Sequence, residues 1–431
     1  MAKRIVIIGG GVAGLTAGIY AKKAGFDAVI YEKNPVAGGE CTGWDRDGYH
    51  IDNCIHWLMG TSGDTALHRI WETTGAIDGV EIIHNDNMYT SELQGERVTL
   101  WQDIDRTERE LLALSPADAD EIKKLMTLCR LSKTVEIPAE QPMDFYSLIE
   151  MLKFTASMKN TMRVFKACKN MDTQDLMNRF KHPLIRCMIS DFCTKDSLAS
   201  SFPMAYGNFV GGDGGVPKGG SMALALRMQA RFISLGGEIH TGVSAEKLIL
   251  DGQKAVRLRL STGEEAQGDY FLCACDPDFT FRHLLDKSFM DPLLAEVYAK
   301  PADYPIYGML QAAYAVDSPV DVMQGEHILD CGSLCEFPWL GDRLTVKTYG
   351  YEPDFAPSGK QIVQFLWGLD QSAFPYWEAL YQDKALYQKK KEELAAKAQG
   401  LIEERFPAYK GKMRLLDVWT PMTYRRWCNA Y

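Results

Sequence analysis

The residues best placed to do chemistry come first in the chain. Gly9, Gly11 and Gly14 follow the apolar run Ile5–Ile8, and Gly18 extends their pattern by one helical turn. That spacing is the one that lays a diphosphate on a helix end. Gly9 makes the tight exit from a strand, Gly11 lets backbone approach a pyrophosphate, and Gly14 lets a helix pack close to a sheet. Val12 and Ala13 open that helix, whose positive end faces the anion. Glu32 ends a second apolar run, Ala28–Tyr31, 18 residues after Gly14, and Lys33 follows it. A carboxylate at this point accepts hydrogen bonds from adenosine ribose hydroxyls and disfavours a 2′-phosphate, which argues against NADP. A structural glycine turn and a solvated strand-end charge are the plain alternatives. The strand before, the helix after and the acid at the next strand's end together favour a nucleotide.

A second glycine pair, Gly38-Gly39, sits six and seven residues after Glu32. NAD alone needs no such pair. A longer ligand whose ribityl chain passes a second backbone loop does, so the expected cofactor is FAD. The segment "GGVPKGGS" is not a P-loop, because Lys218 precedes its glycines instead of following them. Ser221 is expected to cap a helix that runs to about Leu235 and ends at Gly236-Gly237.

The rest of the chain must position these groups. Its 431 residues suit two domains, and 46% hydrophobic with 24% charged residues is ordinary for a globular protein. A net charge of −10 leaves no basic footprint for nucleic acid. Eleven cysteines, an odd number without framework spacing, point to a reducing compartment. Ile5–Ile8 is too short for a signal peptide core, and no run reaches the roughly 18 apolar residues of a membrane span. The expected location is cytoplasmic.

Long helical patterns cover Pro116–Ser132, Asp144–Asn170 and Tyr376–Arg405. Strands are expected near Glu238–His240, Val243–Leu250, Ala255–Leu260, Tyr270–Ala274, Gln311–Ala315 and Gln361–Trp367. Phe145, Leu148, Ile149 and Leu152 share one helical face, with basic residues on the polar side. A core helix is the favoured reading; a membrane-surface helix that gives access to a lipid-soluble substrate is the alternative.

From the Gly38-Gly39 pair onward the sequence resembles the glutathione-reductase-like superfamily of FAD proteins. More narrowly it resembles the phytoene desaturase and retinol saturase family with its amine-oxidase-like cousins. The stretch "GYHIDNCIHWLMG" is similar to the family segment that approaches the flavin. Its D-x-G-x-H pattern stands here as Asp52-x-Cys54-x-His56. "VPKGGSMALALRMQARFISLGGEIHTGVSAEKLIL" resembles the helix and strand after which Val243 contacts adenine through backbone atoms. "DYFLCACDPDFTFRHLL" resembles the turn that brings Ala274 and Asp276 beside the cofactor. "DVWTPMTYRRWCNAY" matches T-P-x-T-Y-x-R. Family members continue from there to a glycine-containing motif over the flavin, and this sequence reaches Tyr431 without it.

The resemblance implies an α/β fold: a discontinuous Rossmann-like FAD-binding domain (1–60, 211–285 and 415–431) and a mixed substrate-binding domain with a helical subregion (61–210 and 286–414). It implies FAD held by Gly9, Gly11, Val12, Ala13, Gly14, Glu32, Lys33, Gly38, Gly39, Val243, Ala274 and Asp276. The implied activity is hydride transfer between flavin and a carbon–carbon bond of a long apolar substrate, an isoprenoid or polyene, as desaturase or saturase. An amine-oxidase-like enzyme, an isomerase or hydratase, and a non-redox prenyl carrier of the Rab GDP-dissociation-inhibitor type are the alternatives. His56 falls at the reacting face, as a proton-transfer or orienting residue or as a packed core histidine. Cys273-x-Cys275 and Cys331-x3-Cys335 lack the ligand spacing of a zinc site, so no metal is expected. Cys41 and Cys54 fall near the expected flavin with no pattern that gives them a role.

Overall fold

The computed structural model of the protein describes residues 2–63, 65–134, 137, 139, 141–319, 323, 325–332 and 337–430. Cys335 and Tyr431 therefore lie outside the described residues. β1 (Arg4–Ile8), α1 (Val12–Lys23) and β2 (Asp27–Glu32) form the βαβ start that the glycine spacing predicts. The sheet is completed from far along the chain: its parallel order is Tyr270–Cys273, β1, β2, Glu238–Thr241. The two central strands are covered on both faces, which is why β1 and β2 read as apolar runs, while the two outer strands alternate exposed and half-buried residues. Ile7 and Ile30 share a core with Leu15 and Ile19 of α1 and with Leu224, Met228 and Phe232 of the helix Gly220–Ser234. Val6, Ile8 and Val29 pack the other way, against Leu248, Leu258 and Leu260 of a three-stranded antiparallel sheet.

The second unit is a seven-stranded sheet in the order Met413–Trp419, Tyr307–Val316, Gln361–Asp370, Leu340–Thr348, Glu326–Asp330, Asn87–Leu93, Glu96–Trp101. All its pairings are antiparallel except that of Glu326–Asp330 with Asn87–Leu93. The helices Ile104–Leu114, Ala119–Leu131, Pro183–Ser190 and Ser201–Val210 pack over its Asn87–Trp101 end around Leu111, Met126, Leu184 and Phe202.

Four expectations from the sequence change. Pro116–Ser132 opens with a 3-10 turn over Pro116–Asp118 before the helix Ala119–Leu131. Tyr376–Arg405 is two helices, Ala373–Gln382 and Lys384–Arg405. Asp383 separates them and caps the second, its carboxylate accepting from the Ala385 and Leu386 amides. Ser221 is not a cap: left-handed Gly219 (φ 88°) precedes the helix, and Ser221 lies inside its first turn. Asp144–Asn170 divides into helices Leu148–Ser157 and Lys159–Ala167, and the core reading of its apolar face fails. Phe145, Leu148, Ile149 and Leu152 are 74, 84, 66 and 71% exposed. Helical periodicity shows that one face is apolar but not what covers it.

Candidate cofactor and reaction site

A cavity of ≈ 440 Å³ opens at the carboxyl end of β1. Gly9, Gly11, Val12, Ala13, Glu32, Lys33, Gly38, Gly39, Ala274 and Asp276 all stand on its wall. α1 points its N-terminus into this space with Gly11 as an N-cap that has no side chain, and with no acidic residue in the first turn. Its first amides are therefore left for an anion. Gly14 lies behind the wall: a Cβ there would meet the Gly9 carbonyl oxygen at 2.0 Å, so only glycine lets the helix press on the turn. Gly38 (φ 129°) returns the chain to that turn, its amide donating to the Gly10 carbonyl at 2.9 Å.

Glu32 is buried and held by two backbone donors, the Gly10 amide at 2.6 Å and the Asn34 amide at 2.8 Å. Each carboxylate oxygen keeps a second lone pair for a further donor. Val243 is also behind the wall, its amide donating to the Glu32 carbonyl (2.9 Å), while Ser244 and Ala245 face the space. Lys33 Nζ donates to the Arg426 carbonyl and to Asn429 Oδ1, both at 2.6 Å. Trp427 Nε1 donates to the Gly39 carbonyl at 2.9 Å, so the segment after Pro421 lies along the cavity rim.

A second cavity, ≈ 610 Å³, shares Glu40, Cys54, Asp276 and Ala430 with the first. A third, ≈ 530 Å³, shares Tyr307, Gly308, Met309 and Leu366 with the second, and His56 borders both. Leu294, Val297, Ile306 and Phe374 give the second its apolar character, and Trp57, Phe192, Ile328, Trp339 and Leu369 the third. The path from the first cavity thus runs past His56 into apolar space.

His56 reaches this junction because Asp52 anchors the segment before it. The buried Asp52 carboxylate accepts from the Ser221 amide (2.6 Å) and hydroxyl (2.7 Å), and Ser221 Oγ accepts from the Ile55 amide (2.8 Å). His56 Nδ1 meets Glu326 Oε1 at 2.5 Å. Lys347, 3% exposed, places Nζ 3.8 Å from the same oxygen and donates to the Ile55 carbonyl at 2.7 Å. Burial works against the charge on Glu326, yet His56 and Lys347 prevail and hold its carboxyl below the usual range. Burial also lowers the Lys347 ammonium, and Glu326 and Asp52 oppose that shift. An ionised Glu326 fixes the His56 tautomer with the proton on Nδ1. Nε2 then has no hydrogen-bond partner among the described residues.

Sequence reasoning missed Glu326, Lys347 and the Asp52–Ser221 clamp. The lone lysine in the β-branched run "LTVKT" was the one available signal. Cys275 lies on the nucleotide cavity wall, with its Sγ 3.4 Å from Thr280 Oγ1. No group of metal-binding side chains occurs among the described residues. Nor is any helix among them long and apolar enough to cross a membrane.

Residues 7–74 match the family model of an NAD(P)-binding Rossmann-like domain. The chloroplastic prolycopene isomerase of Daucus carota is 24% identical over 445 residues, covering 98% of this chain and 70% of the relative. The zeta-carotene-forming phytoene desaturase of Myxococcus xanthus is 25% identical over 298 residues, 66% of this chain and 55% of the relative. Among solved structures, an oxidoreductase from Methanosarcina mazei superposes with a TM-score of 0.60 at 17% identity, over 97% of this chain and 87% of that one. The expected resemblance and α/β fold class are borne out: the chain is similar in sequence to prolycopene isomerases and to a phytoene desaturase, and it shares its Rossmann-like α/β fold with a solved oxidoreductase.

Proposed function

We propose that the protein binds FAD and transfers hydride between the flavin and a carbon–carbon bond of a long apolar polyene or isoprenoid. The observation that carries this reading is the continuity of the nucleotide cavity with two apolar cavities that adjoin at His56. The residues fit the cofactor: uncapped amides of α1 for the diphosphate, Glu32 for the ribose, and the Gly38-Gly39 turn for the ribityl chain. FAD held there would supply the hydride chemistry. The chain's own part is to orient the substrate along apolar walls, exclude water, and hold or release a proton at His56 Nε2. Glu326 holds the other ring proton on Nδ1, and His56 and Lys347 together favour the charge on Glu326.

Isomerisation without net redox is the second reading, favoured by a match to prolycopene isomerase that spans 98% of the chain. The exposed face Phe145–Leu152, with exposed Lys153, Lys159, Arg163, Lys166 and Lys169 nearby, supports peripheral contact with a lipid surface. Co-sedimentation with anionic vesicles is expected to drop in Leu148→Glu/Leu152→Glu with no loss of stability; unchanged sedimentation would remove that contact. The main reading is tested by titrating the purified protein with FAD. A bound flavin spectrum that bleaches on anaerobic reduction is expected, whereas a protein that ignores added FAD would overturn it.

A further inference from the structure

The ribbon that leads from the nucleotide cavity to His56 carries two thiols opposite each other. Its strands Gly43–Arg46 and Tyr49–Asp52 pair antiparallel, with Gly43 facing Asp52. One step outward the Asn53 amide donates to the Thr42 carbonyl at 3.1 Å, so the pairing continues past the last ladder residues. The next facing pair is Cys41 and Cys54. Cys54 spends its amide on Asp52 Oδ1 (3.3 Å) and Cys41 spends its own on the Gly38 carbonyl (3.1 Å). The pair is therefore one without cross-strand amide bonds. Such pairs in antiparallel ribbons bring their Cα atoms to about 4.5 Å. Disulfides span roughly 4.4–6.8 Å between Cα atoms, so this pair lies within reach of a bond.

Both cysteines are free thiols on the wall of the nucleotide cavity, and their surroundings differ. Cys41 is buried, with Sγ donating to the Ser221 carbonyl at 3.3 Å, while Cys54 is exposed. The exposed Cys54 meets a small disulfide first, and the buried Cys41 is placed to resolve. The interaction between the two thiols acts in the same sense, lowering Cys54 and raising Cys41.

We propose that Cys41 and Cys54 form a reversible dithiol–disulfide site in the cavity wall, with a low-molecular-weight disulfide as oxidant. The Cys54 thiolate attacks one sulfur of R–S–S–R, forms a mixed disulfide and releases RS⁻. Cys41 then gives its proton to solvent and attacks the Cys54 sulfur, releasing the second RS⁻. Two electrons pass from the protein thiols to the small disulfide, which leaves as two thiols. The new bond ties the Gly38-Gly39 turn to the segment that bears His56, so the two oxidation states differ where cofactor and substrate spaces meet. The inference does not depend on bound flavin.

The test uses the full chain without added flavin, equilibrated with oxidised glutathione, alkylated and digested with trypsin. Arg46 separates the two cysteines into peptides 34–46 and 47–69. These are expected to appear linked, to lose both alkylation sites, and to separate again in excess reduced glutathione. Cys41→Ser is expected to leave Cys54 as a persistent glutathione adduct. Full alkylation of both thiols, pairing of Cys54 with Cys428 on the same wall, or a wild-type adduct that never resolves would each overturn the proposal.

Discussion

The nucleotide cavity and the chamber around His56 are built by opposite means. The first owes its phosphate-binding features to backbone, the glycines and helix amides within residues 9–39, with the Glu32 carboxylate among them. The second is made of side chains that meet across the fold, His56 with Glu326 and Lys347 from two neighbouring strands of the large sheet. Backbone sites tolerate no added volume but need little from distant segments. Side-chain sites tolerate reshaping but fail when one charge loses its partner.

Substitutions can break that contrast, and the largest effect is expected at Gly14. Gly14→Val puts its Cβ onto the Gly9 carbonyl, so FAD binding is expected to vanish and soluble yield to fall. Isothermal titration that finds wild-type affinity would show that the turn is not rigid. Lys347→Met leaves Glu326 buried without its ammonium and is expected to cost about 3 kcal/mol in chemical denaturation. Lys347→Met/Glu326→Gln should recover part of that loss; strict additivity would mean that the two charges are not coupled. Glu32→Ala is expected to weaken FAD binding roughly tenfold to a hundredfold through its charged hydrogen bonds. An unchanged dissociation constant would remove Glu32 from the ribose.

Acid sensitivity separates two faces of one strand. Glu326 turns toward His56, while its neighbour His327 packs edge-on to Phe406, with successive side chains pointing to opposite faces. Burial, with the Arg97 charge, lowers the His327 pKa to about 4. The folded imidazole stays neutral where the unfolded one takes up a proton. The stability it contributes is full above the unfolded pKa near 6.5 and is lost as pH falls toward 4. Below pH 6.5 the slope is expected to approach 1.4 kcal/mol per pH unit (about one proton's worth) and to flatten in His327→Gln. An identical profile in the variant would assign the acid sensitivity elsewhere.

The same contrast explains what was legible in the sequence. Gly9 to Gly14, Glu32 and Gly38-Gly39 act through local turns, and local spacing records them. Glu326 meets His56 across 270 positions, and no periodicity carries such a pairing. Ser221 looked like a cap because caps are a local rule; the fold gives it to Asp52, whose carboxylate could be assigned only once the helix and the ribbon were side by side. The apolar face at Leu148 was legible as a face, but its exposure depends on what packs there. Asp383 split a helix that charge pattern alone would have continued.

The central proposal is hydride transfer between cofactor and polyene at the junction formed by His56. It is tested most directly by mixing anaerobic FAD-loaded protein, once oxidised and once reduced, with a polyene and following flavin and polyene absorbance together. The account predicts that in one of the two states the flavin changes oxidation state in step with the gain or loss of one conjugated double bond. A polyene that changes while the flavin keeps its oxidation state, or a flavin that the polyene leaves untouched in both states, would contradict it.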